Sequence, residues 1–223
     1  VKETKVNVKG TIVPNDDKWI YNWLGMDATS PKDISDAIEK ANGETLDVDI
    51  NSPGGDVDSG SEIYTALRGY SGTRIHIVGA CASAASVVAM AGWSEMSPTA
   101  RMMVHLTATY SEGNHHDMDL TSEALQKADR AIASAYVAKS GMSEKDAITM
   151  MDKTTYLTAQ EAVDLKLVDK VMFSDQTAVV PLAASASGLL PKAVLDKVRN
   201  LYGKEKQTEK FQTELNFLKE KVI

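Results

Sequence analysis

The chain has 223 residues, 43% hydrophobic and 25% charged, with a formal net charge of −7 and one cysteine. The acidic balance argues against a nucleic-acid surface, and a lone cysteine rules out an intrachain disulfide. No apolar run reaches the roughly 18 residues of a membrane span. The length suits one core domain of roughly 150 to 180 residues with an appendage, and without a signal-peptide pattern a cytoplasmic protein is expected.

Residues 6–13 alternate loosely and predict a strand that enters a loop at "PNDD". "SPKDISDAIEKANG" carries both ends of a helix: Ser30 as N-cap, Pro31 in the first turn, Asp33 against the dipole and Gly43 as terminator. Its apolar positions Ile34, Ala37, Ile38 and Ala41 share one face. "TLDVDINSPGG" sets Leu46, Val48 and Ile50 on one face of a strand and Asp47 and Asp49 on the other, and predicts an abrupt end at Pro53-Gly54-Gly55. Beyond the turn, a helix is expected from about Asp58 to Arg68. "TRIHIVG" reads as a strand, Ala84 to Ala91 as a small-residue helix and "ARMMVH" as a third strand. Leu125, Ala128, Ile132 and Ala135 mark a long amphipathic helix from about Leu120 to Ser140. Two short helices follow, opened by Ser143 and Thr158. Strands alternating with helices indicate an α/β domain with a largely parallel sheet.

Composition changes after Phe173. "AASASG" has the make-up of a linker, and Val194, Val198, Leu201, then Phe211, Leu215, Leu218 and Val222 keep one heptad phase around a polar break. The expected organisation is a core domain over 1–175, a linker over 176–188 and a helical tail over 189–223.

A serine becomes a nucleophile when a base takes its proton and donors await the oxyanion. Ser83 lies where a strand gives way to a helix, whose first N–H groups face outward at the positive end of the dipole. The small neighbours Ala82, Ala84 and Ala85 leave room for a substrate backbone. "NSPGGD" supplies a glycine turn at the carboxyl end of a strand, the usual place for ligands in parallel sheets, and His105 closes another strand. Each feature alone has a structural explanation; together they suit a serine hydrolase.

"INSPGGDVDSGSEIYTAL", "GACASAASVVAMAG", "MSPTARMMVH" and "YLTAQEAVDLKLVD" occur in the order and spacing of the Clp protease proteolytic subunit (ClpP) family, over about residues 45 to 172. Within it the wording "ASAASVVAMAG" and "MSPTARMM" most resembles the ClpP-related head maturation (prohead) proteases of phages. The resemblance implies a ClpP/crotonase-like α/β fold of repeated β-β-α units with a protruding handle helix. It also implies a self-compartmentalising serine endopeptidase that forms homo-oligomeric rings, single or stacked, and acts on phage scaffold or capsid proteins. It assigns Ser83 as nucleophile, His105 as general base, and the N–H groups of Gly55 and Ala84 as the oxyanion hole. The acid it expects three residues before Leu157 is here Thr154; Asp152, two residues earlier, is the nearest acid and the candidate third member of a triad, the alternative being a Ser–His dyad with Asp152 a surface carboxylate.

Two other readings stay open. A crotonase-like acyl-CoA enzyme shares the paired N–H groups without needing a serine, and Thr154 leaves room for a catalytically degenerate scaffolding module. No cofactor and no ATP hydrolysis by this chain are expected, because "SPGGDVDSG" lacks the Lys-Ser/Thr pair of a P-loop; whether an ATPase partner docks is left open. No metal is expected at "HHDMD", since adjacent histidines do not converge on one ion and Asp117 and Asp119 suit a helix start. Cys81 and Ser86 are expected to pack, and His76 to be structural.

Overall fold

The computed structural model describes residues 3–174, which lie within one unit spanning 1–177. The expected linker and heptad-patterned tail fall outside the described residues. The elements in chain order are β1 (Thr4–Ile12), α1 (Lys18–Trp23), β2 (Ala28–Thr29), α2 (Pro31–Ala41), β3 (Leu46–Gly55), α3 (Val57–Gly69), β4 (Thr73–Ala82) and α4 (Ala84–Val88). They continue with a 3-10 turn (Ala89–Ala91), β5 (Trp93–Met96), β6 (Arg101–Val104), α5 (His115–Ser140), α6 (Glu144–Asp152), β7 (Thr155–Leu157), α7 (Ala159–Asp164) and β8 (Lys170–Val171).

The sheet runs β2-β1-β3-β4-β5-β8 with every pair parallel, as the α/β expectation requires. β4 has two partners on its far side: residues 74–77 pair with β5, and residues 80–82 pair with β6. β6 in turn pairs antiparallel with β7. Between Ile50↔Ile77 and Ser52↔Cys81, β4 takes up two more residues than β3, which frees its last turn to swing toward β6. The Asn51 side chain spans the break, accepting from the N–H of Ala80 at 2.9 Å. Among the described residues no helix is long and apolar enough to cross a membrane.

Leu46, Val48 and Ile50 are wholly buried with Ile75 and Ile77 of the next strand, and Ile34, Ile63 and Leu67 of α2 and α3 cover that face. Asp47, expected on the polar face, is also buried, because β3 is central and His76 lies over it with Nε2 3.0 Å from the carboxylate. The strand expected to end at Pro53-Gly54-Gly55 runs through that turn to Gly55, pairing Gly54 with Thr11 and Gly55 with Ile12. A register shift absorbs the proline, which donates no ladder hydrogen bond and is tolerated at such a bulge.

Helix ends follow their caps. Ser30 opens α2 with its N–H donating to Asp33 Oδ2 at 2.8 Å, and Ser143 and Thr158 accept from the N–H groups of Asp146 and Glu161. α5 begins at His115, five residues before the expected start. Asn114 caps it by accepting from the N–H of His116, while Asp117 accepts from the N–H of Asn114. The expected helix over 84–91 is split, with α4 ending at Val88 and the chain tightening into the 3-10 turn.

Candidate active site

Three strand ends meet at one edge of the sheet. The ladder pairs Ser52 with Cys81 and Ala82 with Met103, so the glycine turn after β3, Ser83 after β4 and His105 after β6 emerge side by side. The crevice beyond the carboxyl ends of parallel strands is where ligands bind in such sheets.

Ser83 joins β4 to α4 at φ 55°, ψ −128°, a conformation that L-residues seldom adopt and that lifts the side chain clear of both elements. Its N–H donates to the carbonyl of Met103 at 2.9 Å, tying the elbow to the strand that delivers the histidine. Nε2 of His105 lies 2.8 Å from Ser83 Oγ. With the ring neutral and the proton on Nδ1, Nε2 accepts the serine hydroxyl hydrogen, the geometry a general base needs.

The smallness of the 79–92 stretch has a packing cause beyond substrate access. A side chain at Gly54 would meet the carbonyl oxygen of Ala82 at 2.6 Å and Cβ of Ser83 at 2.7 Å, and one at Gly60 would meet Cβ of Ala84 at 2.9 Å. The glycine turn and α3 press directly on the elbow, so neither side has room for bulk. Gly55, at φ 149°, has its backbone against Ile12 and stays exposed on the side of the crevice.

A cavity of about 380 Å³ opens beside Ser83. Val57, Val87, Leu106, Ile132 and Tyr136 form its apolar wall, and Gly55, Ala84 and His105 stand at its polar end.

The residues expected in the site come together unequally. Ser83, His105, Gly55 and Ala84 all line this cavity. Asp152 is the exposed last residue of α6 and, among the described residues, no carboxylate bonds His105. Carrying the β6–β7 register, in which Val104 faces Thr155, one residue further places Thr154 beside His105 and Asp152 two residues beyond. Thr154 takes φ 49°, so the link turns sharply there.

Three residues of the site were not legible from sequence. Ser86 donates to the Ser83 carbonyl at 2.6 Å and meets the Tyr136 hydroxyl at 2.8 Å, all within the core. Asp129, buried on α5, accepts from the N–H and hydroxyl of Thr107 at 2.6 and 2.8 Å, holding the segment that follows His105. Their partners are 50 and 22 residues distant in the chain, which no local pattern marks.

Cys81 is fully buried, and burial pushes its thiol far above the ordinary range, so it is no nucleophile. His76 bridges Asp47 and Glu95 across three strands, the structural role expected of it. The rings of His115 and His116 lie 3.9 Å apart, tilted by 38°, in the exposed first turn of α5. Among the described residues no group of three or more histidine, cysteine, aspartate or glutamate side chains is placed to hold a metal ion.

A family model described as Clp protease matches residues 37–175, an interval holding all five expected site residues. The chain is 29% identical over 156 residues to the ATP-dependent Clp protease proteolytic subunit 1 of Chlamydia abortus, covering 64% of this chain and 81% of that one. It is 31% identical over 134 residues to an ATP-dependent Clp protease proteolytic subunit of Bacteroides fragilis, covering 58% and 65%. It is 30% identical over 131 residues to the ATP-dependent Clp protease proteolytic subunit 1 of Chlamydia trachomatis serovar D, covering 56% and 68%.

Proposed function

Because this chain belongs to the Clp protease family and is a serine-type peptidase, we propose that Ser83 is its nucleophile and His105 its general base. The observation that carries this reading is the 2.8 Å hydrogen bond between Ser83 Oγ and His105 Nε2 at the edge of an open crevice. His105 takes the hydroxyl proton as Oγ attacks the scissile carbonyl carbon, and the oxygen that becomes negative is received by the N–H groups of Gly55 and Ala84. The imidazolium then returns its proton to the leaving amine. A water molecule, activated by the same ring, cleaves the acyl-serine and regenerates Oγ–H.

Asp152 completes the proposal as the residue that orients His105. A carboxylate at the C-terminus of a helix, with no basic residue in the last turn, is disfavoured by the dipole. It stands two residues from the position that faces His105. Bending of the Lys153–Thr154 link when substrate enters would bring it to Nδ1.

The apolar wall beside Ser83 favours substrates with an apolar side chain next to the scissile bond, of a size that about 380 Å³ accepts. We extend the proposal to a homo-oligomeric ring in the cytoplasm, with α5 as the stacking element. Leu120 and Met118 of its first half are exposed, while its buried residues, Asp129, Ala133, Ala135 and Tyr136, all lie in the second. The wording of residues 82–92 and 96–103 supports phage scaffold or capsid proteins as substrates and a role in prohead maturation. The relatives are named as ATP-dependent, and these residues contain no P-loop.

Turnover of casein, compared with Ser83→Ala, tests the peptidase reading. Cleavage that vanishes in the variant is expected, and equal cleavage would refute it. Co-expression with a scaffold protein tests the finer one: Ser83-dependent cleavage is expected, and an intact scaffold beside active enzyme would refute that role.

A further inference from the structure

We propose that Ser86 and Tyr136 are positioning residues that fix the Ser83–Ala84 peptide and so aim the Ala84 N–H at the oxyanion. The inference rests on the assignment of Ser83 as nucleophile. The Ser83 carbonyl and the Ala84 N–H belong to one planar trans peptide, so they point in opposite directions, and whatever holds the first sets the second. The Ser83 carbonyl accepts twice from one residue, from the N–H of Ser86 at 2.8 Å and from its hydroxyl at 2.6 Å.

A serine hydroxyl has a single hydrogen to give. Since Ser86 gives it to the Ser83 carbonyl, the 2.8 Å contact between Ser86 and Tyr136 must be donated by the tyrosine. Burial raises the Tyr136 phenol above its ordinary range, so it keeps that proton throughout the working pH range. Tyr136 is 1% exposed and Ser86 is fully buried, so both hydroxyls are shielded from bulk water. The result is a directed chain, from the Tyr136 O–H to Ser86 Oγ and from the Ser86 O–H to the Ser83 carbonyl.

Such a chain has work to do here because the elbow sits at φ 55°, ψ −128°. A residue held in a sparsely populated conformation relaxes unless its surroundings over-determine it. On the N-terminal side the Met103 carbonyl holds the Ser83 N–H; on the C-terminal side the Ser86 and Tyr136 hydroxyls perform the same task. Relaxation of this peptide would leave the Ser83–His105 hydrogen bond possible and turn the Ala84 N–H away. The loss would therefore fall on transition-state binding and leave substrate binding alone.

The experiment compares wild type, Tyr136→Phe, Ser86→Ala and Ser86→Thr on a fluorogenic peptide, together with inhibition by a peptide boronate, which forms a tetrahedral adduct at serine. We expect Tyr136→Phe and Ser86→Ala each to lower kcat about tenfold or more with KM unchanged, and to weaken the boronate in parallel. Ser86→Thr, which retains the hydroxyl, should restore most of both. The double variant should be no worse than the more impaired single one, as for members of one chain. Wild-type kcat and boronate affinity in variants that fold but melt earlier would overturn the inference, and so would equal losses in Ser86→Thr and Ser86→Ala. Those outcomes leave the nucleophile assignment intact, whereas turnover surviving in Ser83→Ala would defeat that assignment itself.

Discussion

Ala82 of β4 lies opposite Met103 of β6, and the carbonyl of Met103 accepts the N–H of the next residue, Ser83. That contact, at 2.9 Å, sets Ser83 and His105 on neighbouring strand ends, with His105 two residues beyond the acceptor. The proposed catalytic pair thus inherits its spacing from sheet register, and whatever disturbs the elbow between β4 and α4 should register as lost activity before lost fold.

Gly54 is the most exposed point of that dependence. At φ 94°, with a methyl group forced to within 2.6 Å of the Ala82 carbonyl, Gly54→Ala cannot be accommodated without moving the elbow. We expect about 2–4 kcal/mol of lost stability in urea denaturation and at least a hundredfold loss in kcat/KM. Near-normal turnover would show that the elbow tolerates the shift.

Asp152→Asn tests the orienting acid. A loss of about ten- to a hundredfold in kcat is expected, smaller than for His105→Ala, because the serine, the base and the oxyanion donors remain. An unchanged rate would assign Asp152 to the surface and leave a Ser–His pair acting without an acid.

Cys81 provides an internal control on the choice of nucleophile. Its thiol is buried, donates to the Ala85 carbonyl and is held protonated by burial. In the folded protein at pH 8 it should react with a disulfide reagent at least a hundredfold more slowly than in the denatured chain, and Cys81→Ala should keep its peptidase activity. Rapid modification accompanied by inactivation would contradict the assignment.

Much of the site could be read locally, because its signals are short and sit at strand ends. The glycine turn, the small-residue elbow and the terminal histidine each mark a place where a parallel strand stops. Ser86 and Tyr136 could not be read in this way, since a serine and a tyrosine 50 residues apart become partners only when α5 docks. The same holds in the fold. α2, α3 and α5 show periodicity and caps, whereas β2, β7 and β8 are two or three residues long and exist only through their ladder partners. Asp47 looked solvent-facing by alternation and is buried because a histidine from the next strand covers it.

Acid stability should depend on Asp33. Burial alone would raise its carboxyl, but the hydrogen bonds from Lys18 and from the Ser30 N–H outweigh this and hold it below the usual carboxylate value. A depressed carboxylate contributes stability that is present above its unfolded value, near 3.8, and is lost as pH falls through the folded one. Asp33→Asn should cost about 1 kcal/mol or less at pH 7 in urea denaturation, and its deficit against wild type should shrink below pH 4. A deficit that stays constant from pH 7 to pH 2.5 would show that the charge is irrelevant.

Assembly is tested at the first half of α5. Leu120 is 66% exposed, on a stretch where the helix has no buried residue before Asp129. Light scattering at micromolar concentration should find an oligomer, and Leu120→Lys should shift it to smaller species. A monodisperse wild-type monomer would contradict the proposed assembly.

The central claim, that Ser83 is a nucleophile activated by His105, is tested most directly by mapping where a fluorophosphonate attaches. One phosphonyl adduct per chain is expected, on the peptide containing Ser83, absent in Ser83→Ala and formed at least a hundredfold more slowly in His105→Ala. An adduct on another residue, or labelling of Ser83→Ala at the wild-type rate, would contradict it.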